Sequence, residues 1–521
     1  MYQPDSTVPQ PPPQQQEYYP PPPPPPQYNP EQNGYKNQYS QNNVQQTYIN
    51  TDPSHLEYGQ PPPLNNQVQP ETNQNEKIRP SSGFNDVWAT ILWLLNFAAF
   101  IGVSVVALHT YNDHTGSTNG VQSYNAYPGT TFDNDTIKIY GLSGLIGFGM
   151  SFLYLLLANA FPKQLIVTTF VGSIIVYFGV TIYYFVRHYY SAAIIFLIFS
   201  CLYLACFFFW RHKFAFATIM LKTVVDVTKK HPSTIVVGMI ALILQTAFSF
   251  WFMFAVTGAY QRWYSSSSNN SMLNCVMVFL VFSFYWTSQV ITYVAHVILA
   301  GVFATVYFTD EQTRHPVLGS TKRALTTSFG SICFGGLLIA FINVIRYFLQ
   351  IAQANTDNGC LSFLICIIQC IVGCAQGLFE WFNYYAFSGV AIYGKPFVPT
   401  ARNTWSMIKD RGVEAMINDS LIGNVLFMGG LLVGVLCGLF GYIYLEAARP
   451  VYNQDGGMTP IVVMVCFLIG ASMFSSIATV ISSGVATTFV CLAEDPQALQ
   501  RSKPELFEKI RETWPRVVQG V

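Results

Sequence analysis

Residues 191–210 read SAAIIFLIFSCLYLACFFFW, a run with neither a charge nor a proline. As an α-helix rising 1.5 Å per residue it covers about 30 Å, the thickness of a bilayer's hydrocarbon core. A run this long and this evenly apolar reads as a membrane span. Working outward, comparable blocks lie near 87–109, 139–160 and 165–186 on one side, and near 234–258, 280–307, 329–352, 366–393, 421–445 and 466–491 on the other. The expected fold class is therefore all-α, a polytopic transmembrane helix bundle of about ten spans, with the lipid bilayer as its first partner.

Composition agrees. Of 521 residues, 51% are hydrophobic and 10% charged, whereas a soluble globular chain carries about 25% charged residues. The formal net charge is zero and the basic residues are scattered, so nothing resembles a nucleic-acid-binding face. Eleven cysteines include no CxxC pair, and most lie in apolar blocks; Cys366, Cys370 and Cys374, four apart, read as helix-packing residues rather than a metal or redox site. No cofactor or metal is called for. No basic-then-apolar leader precedes the first span, which is expected to direct insertion itself.

Residues 1–85 differ in kind, being rich in Pro, Gln, Asn and Tyr. They are expected to form a disordered cytoplasmic tail, followed by a transmembrane domain over 86–492 and a short cytoplasmic C-terminal tail over 493–521. The tail contains Pro25-Pro26-Gln27-Tyr28, a PPxY sequence that WW domains grip because a preformed proline helix lays its rings into an aromatic groove. WW-domain proteins are thus candidate partners.

An even number of spans puts both termini on one side, and the distribution of Lys and Arg says which. With the termini inside, the inner loops hold Arg211, Lys213, Lys222, Lys229, Lys230, Arg314, Lys322, Arg323, Lys395, Arg402, Lys409 and Arg411; the outer loops hold Lys138, Arg187, Arg262 and Arg449. Two N-glycosylation sequons, at Asn134 and Asn269, fall in loops that this rule places outside. A third, at Asn418, falls inside and is expected to be silent. The inner loops 211–233, 308–328 and 394–420 are longer than connectors. In the last, Phe397, Ala401, Trp405, Ile408, Gly412 and Ala415 recur at helical spacing, which predicts an amphipathic helix along the inner surface. Gly430, Gly434 and Gly438 in span nine predict close approach of a neighbouring helix.

Polar groups inside hydrocarbon are costly, by roughly 2.5 kcal/mol or more for a charge, and by default mark a cavity. Glu380 reads as the one carboxylate well inside a span. Gln376, Glu380, Asn383, Tyr384 and Phe387 share a face of span eight, beside Trp381, and span six has a matching stripe in Trp286, Gln289, Tyr293 and His296. Two such stripes facing each other would make a wet, ring-walled cavity with one negative charge. That chemistry suits a small organic cation, held by π faces and a carboxylate. Arg346 lies toward the outer end of span seven, so direct pairing with Glu380 is not expected, and His296 reads as a packing residue with proton shuttling as the alternative. The chain is not expected to be an enzyme: GxxxxGK[ST], HExxH and GxSxG are missing from it.

Several ordered stretches resemble the choline transporter-like family, most closely its fungal branch, the pH-nine-sensitive proteins. They are Gly330-Ser331-Ile332-Cys333-Phe334-Gly335, Phe382-Asn383 through Ala391-Ile392-Tyr393-Gly394, Trp405 to Gly412, Ile417-Asn418-Asp419-Ser420, and Thr487 through Glu494-Asp495-Pro496. Tyr384 departs from the pattern, which often has a basic residue there. The resemblance implies a ten-span plasma-membrane transporter and, by analogy, choline or a related amine as substrate. Two other readings stand beside facilitated transport: a non-transporting scaffold acting through the Pro-rich tail, and a lipid-handling protein with a polar stripe open to lipid.

Overall fold

A computed structural model describes residues 83–116, 134–263, 271–309, 315–356, 359–448 and 459–513. Within them the chain forms fourteen α-helices and no strand. In order these are α1 (Val87–Gly116), α2 (Asn134–Ala160), α3 (Pro162–Val186), α4 (Tyr190–Trp210), α5 (Phe214–Lys230), α6 (Ser233–Trp263), α7 (Ser271–Phe308), α8 (Pro316–Leu325), α9 (Phe329–Ala354), α10 (Gly359–Tyr393), α11 (Phe397–Ala448), α12 (Thr459–Glu494), α13 (Pro496–Ser502) and α14 (Pro504–Thr513). Ten of these helices are long and apolar enough to cross a membrane, starting with Val87–Ala107 and ending with Thr459–Glu494. The tail with Pro25, Pro26 and Tyr28 lies outside the described residues, as does Asn269; Asn134 opens α2.

Local chemistry sets the helix boundaries. Pro162 and Pro316 occupy the first turns of α3 and α8, where their missing N–H is no loss. Asp495 caps α13 by accepting from the Ala498 amide, with Pro496 next to it. Between α3 and α4 the chain reverses through His188, at φ 61°.

Burial shows which helix is the axis. In the most apolar window of α7, 78% of residues are inside the protein, against 11% for α4 and 6% for α10. α7 is therefore the central post, and α4 and the first half of α10 line the periphery. One side of α7 packs into a large core with α2, α3, α5, α11 and α12. The other side packs against α1, α9 and α10, and α6 joins it through a ring cluster of Phe100, Phe248 and Trp251. The span-nine glycines do what their spacing predicts: Gly434 and Gly438 lie against Val463 and Phe467 of α12, and Gly430 against Phe474. Cys366, Cys370 and Cys374 do not pack within the chain as expected. All three are exposed on the peripheral half of α10.

The linker 394–420 is helical from Phe397, as its spacing predicts, but the helix extends further than expected. Instead of ending before the ninth span, its helix continues into it, so that α11 is one helix of 52 residues. No Gly-Pro or Pro interrupts it after Pro399, which explains the continuity. Phe397, Thr400 and Thr404 are buried, with Thr400 and Thr404 facing Gly389 of α10. The first part of α11 is thus docked on the bundle.

The start of α1, the start of α9 and the linker after α10 meet at one end of the bundle, here termed the terminal face. The Asn85 amide donates to Thr327 O (3.0 Å), and its side-chain Nδ2 donates to Gly394 O (2.6 Å). Asp86, at φ 49°, holds the left-handed conformation that Asp tolerates better than most residues. Its Oδ2 accepts from Ser331 Oγ (2.7 Å) and from the Phe397 amide (2.9 Å).

Candidate functional site

α10 organises the polar interior, because its 3.6-residue period sends successive side chains to three different neighbours. Toward α9, Arg346 Nη1 donates to Gln376 Oε1 (2.7 Å), and Gln376 Nε2 donates to Glu380 Oε1 (2.8 Å). Arg346 and Glu380 are thus joined through an amide, and the carboxylate shares its field with a cation. Asn383 is buried and donates to Gly335 O at 3.2 Å.

Toward α7 and α12 lies a histidine knot. His296 is fully buried and its ring stacks on Tyr384 with centroids 3.7 Å apart. Its Nε2 is 2.8 Å from Tyr384 O, a carbonyl that only accepts, so Nε2 carries the proton. Nδ1 is then the acceptor for Ser483 Oγ at 3.0 Å, and Ser483 accepts in turn from the Tyr384 hydroxyl at 2.9 Å. Ser388 and Thr487 extend the knot by a contact of 3.2 Å. With the imidazole neutral, its Nε2–H, the Ser483 hydroxyl and the Tyr384 hydroxyl each have one acceptor, which is the arrangement of a hydrogen-bonded packing residue.

The span-six stripe faces α9 and α10. Trp286 is 1% exposed and donates through Nε1 to Cys333 O at 3.0 Å, the Tyr293 ring meets Phe387 at a tilt with centroids 4.4 Å apart, and the Gln289 stem lies against Gly336. The two stripes therefore meet in direct side-chain contact.

Toward α11 the structure brings up a residue that sequence reasoning missed. Asp419 accepts from Trp381 Nε1 (2.9 Å) and from the Tyr385 hydroxyl (2.6 Å), both on Oδ2. It lies at the start of the segment Ile417–Ala448 that is long and apolar enough to cross a membrane, so a second carboxylate joins Glu380, at the edge of a span. Reading the ninth span from 421 leaves Asp419 outside by two residues; the helical spacing from Phe397 onward, with no proline after Pro399, is the signal. Trp381 and Tyr385 approach each other at 5.0 Å, and Phe489 of α12 closes on Tyr385 at 6.0 Å. Both of these hydrogen bonds fall on Oδ2, and among the described residues both polar atoms of the buried Asn418 amide are unpartnered. Asp419 is thus a carboxylate ringed by neutral aromatic donors with no cation paired to it in those contacts, which is the electrostatic complement of a soft organic cation.

The family-like motifs map onto these contacts. Gly330 admits the backbone of Asn85 and Asp86, and Ser331 bonds Asp86. Cys333 O and Gly335 O receive Trp286 and Asn383.

A ten-span helix bundle with charged and aromatic groups gathered around one interior helix has the build of a membrane transporter. The chain belongs to the choline transporter-like family: the family model described as plasma-membrane choline transporter matches residues 194–497. It is similar to the protein PNS1 of Mycosarcoma maydis, 38% identical over 86% of both chains, and to that of Cryptococcus neoformans, 37% identical over 94% of both. A further relative, PNS1 of Gibberella zeae, is 37% identical over 84% of each chain.

Proposed function

We propose that this protein carries a small organic cation, choline or a related amine, across the plasma membrane by facilitated diffusion. The observation that carries the reading is Asp419, a carboxylate at the start of the span Ile417–Ala448, held by Trp381 and Tyr385. Family membership supports the substrate class. Glu380, the counter-charge expected from sequence, is the weaker candidate because Gln376 links it to Arg346. Trp286, Gln289, Tyr293, His296, Asn383 and Tyr384, the other candidates expected from sequence, are engaged with α7, α9 and α12 and stand apart from Asp419. No driving ion is needed, since about 100 mV, negative inside, contributes roughly 2.3 kcal/mol per charge, or about fiftyfold accumulation. The test is uptake of labelled choline by liposomes containing the full-length protein. Uptake is expected to exceed that of empty liposomes, to rise with an inside-negative potential and to collapse when the potential is dissipated. Uptake equal to that of empty liposomes removes the reading.

The reading includes both termini inside, supported by the charge asymmetry of the loops. In cells, Asn134→Gln and Asn269→Gln are each expected to speed gel migration by the mass of one glycan. Asn418→Gln is expected to leave migration unchanged, because Asn418 is 2% exposed. A shift for Asn418 alone inverts the topology.

A further inference from the structure

Several amide side chains between the helices are held by a bond to a neighbouring helix. Asn96 accepts from Ser283, Gln245 donates to Ser288, Asn383 donates to Gly335 O and Asn424 accepts from Ser173. Asn418 differs. It is 2% exposed, yet among the described residues neither end of its amide has a partner. Buried polar groups are hydrogen-bonded as a rule, so an amide unpartnered at both ends marks a place for the polar group of a ligand.

Its position says which ligand. Asn418 immediately precedes Asp419 in α11, and consecutive side chains leave a helix about 100° apart. Leu421 and Ile422, three and four residues further on, pack in the same core cluster as Tyr385 and Phe489. Side chains three and four apart share a face, so Asn418 is turned toward the interior that Tyr385 and Phe489 line. Asp419 is held beside that interior by Trp381 and Tyr385. The pair thus offers one small ligand two unlike contacts, a negative charge and an adjacent uncharged amide. An alkyl group set against the amide leaves it unpaired. A carboxylate or phosphate there lies beside the charge of Asp419, which repels it. A hydroxyl pairs with either end of the amide and brings no charge.

We infer that Asn418 is the specificity residue of the cation site and binds the hydroxyl of an amino alcohol whose ammonium faces Asp419. The inference rests on the cation reading of Asp419 and narrows it: the cargo is a hydroxylated amine, and cations lacking the hydroxyl or carrying a carboxylate are discriminated against. Its test uses liposomes containing the full-length protein and compares labelled choline with labelled propyltrimethylammonium, in which a methyl group replaces the hydroxyl. Wild type is expected to show a KM for choline roughly ten- to a hundredfold lower, the cost of leaving a buried amide unpaired. Asn418→Leu, apolar and similar in volume, is expected to remove that preference while still carrying propyltrimethylammonium, which also reports that the variant is folded. Asn418→Ser, which keeps one hydrogen-bonding group, is expected to retain part of it. Asp419→Asn is expected to lose both cations, and excess betaine, the carboxylate analogue, is expected not to compete. Equal KM values for the two cations in wild type, or an unchanged preference in Asn418→Leu, overturn the inference and leave the cation reading standing. Should Asn418→Leu carry neither cation, the wild-type ratio and Asn418→Ser decide. Uptake of neither cation by wild type removes the cation reading itself, and this inference with it.

Discussion

Replacing Asp419 by asparagine is expected to abolish potential-driven cation uptake while leaving the protein folded. The amide keeps one oxygen to accept from Trp381 and Tyr385, so the packing of α10 against α11 survives. What disappears is the charge. Removing one partner of a desolvated charge pair costs roughly 2 to 5 kcal/mol, a factor of about thirty to several thousand in affinity. Glu380→Gln is expected to cost far less, because Arg346 already offsets Glu380 through Gln376. Both variants are compared with wild type in liposome uptake, with thermal unfolding in detergent as the control for folding. Wild-type uptake by the Asp419→Asn protein, or a larger loss for Glu380→Gln, sinks the assignment of Asp419 as counter-charge.

The largest expected effect on stability comes from Gly330→Ala. A Cβ at this position falls on the carbonyl oxygens of Asn85 and Asp86, which are backbone atoms and not the yielding end of a side chain. That backbone cannot step aside cheaply. It is pinned by the bonds from Asn85 to Thr327 and Gly394, and by those that Asp86 accepts from Ser331 and the Phe397 amide. One methyl group therefore separates the start of α1 from α9 and releases four hydrogen bonds together. The loss is expected at or beyond the upper end of the roughly 1–3 kcal/mol typical of overpacking. It should be read as a fall of several degrees in the unfolding temperature and as poor surface expression. Gly373→Ala, where the new Cβ meets nothing within 4 Å, is the matched control and should be neutral or slightly stabilising. Equal unfolding temperatures for the two variants would mean that the clamp around Asn85 and Asp86 does not hold the terminal face.

These two residues also show how far the sequence reaches. All ten spans are legible, with ends within a few residues for the first five, because apolar block length is set by the thickness of hydrocarbon and needs no knowledge of tertiary contacts. Gly330 is visible only as part of a motif. Its reason is a contact with residues far away in the chain, which no periodicity encodes. Asp419 was hidden differently. A helix that carries charged residues before entering the membrane gives no composition break at its point of entry, so a span assigned by hydropathy starts after the last charge. The polar stripes of α7 and α10 were readable as stripes, yet helical spacing alone assigns Tyr384 to the same face as Glu380. In the fold, Tyr384 turns to His296 and Ser483 while Glu380 turns to Gln376 and Arg346. The partners around a helix decide which residues form a site, and span order does not reveal them.

The continuity of α11 has a mechanical consequence. Asp419 stands near the middle of an unbroken beam whose leading end is wedged between α9 and α10 at Phe397, and whose trailing part leans on α12 along its glycines. A rod without a hinge cannot yield at one point alone. On the proposed reading, a force exerted on the carboxylate by a cation would act on the whole length, at the clamp around Asp86 and along the seam with α12 together.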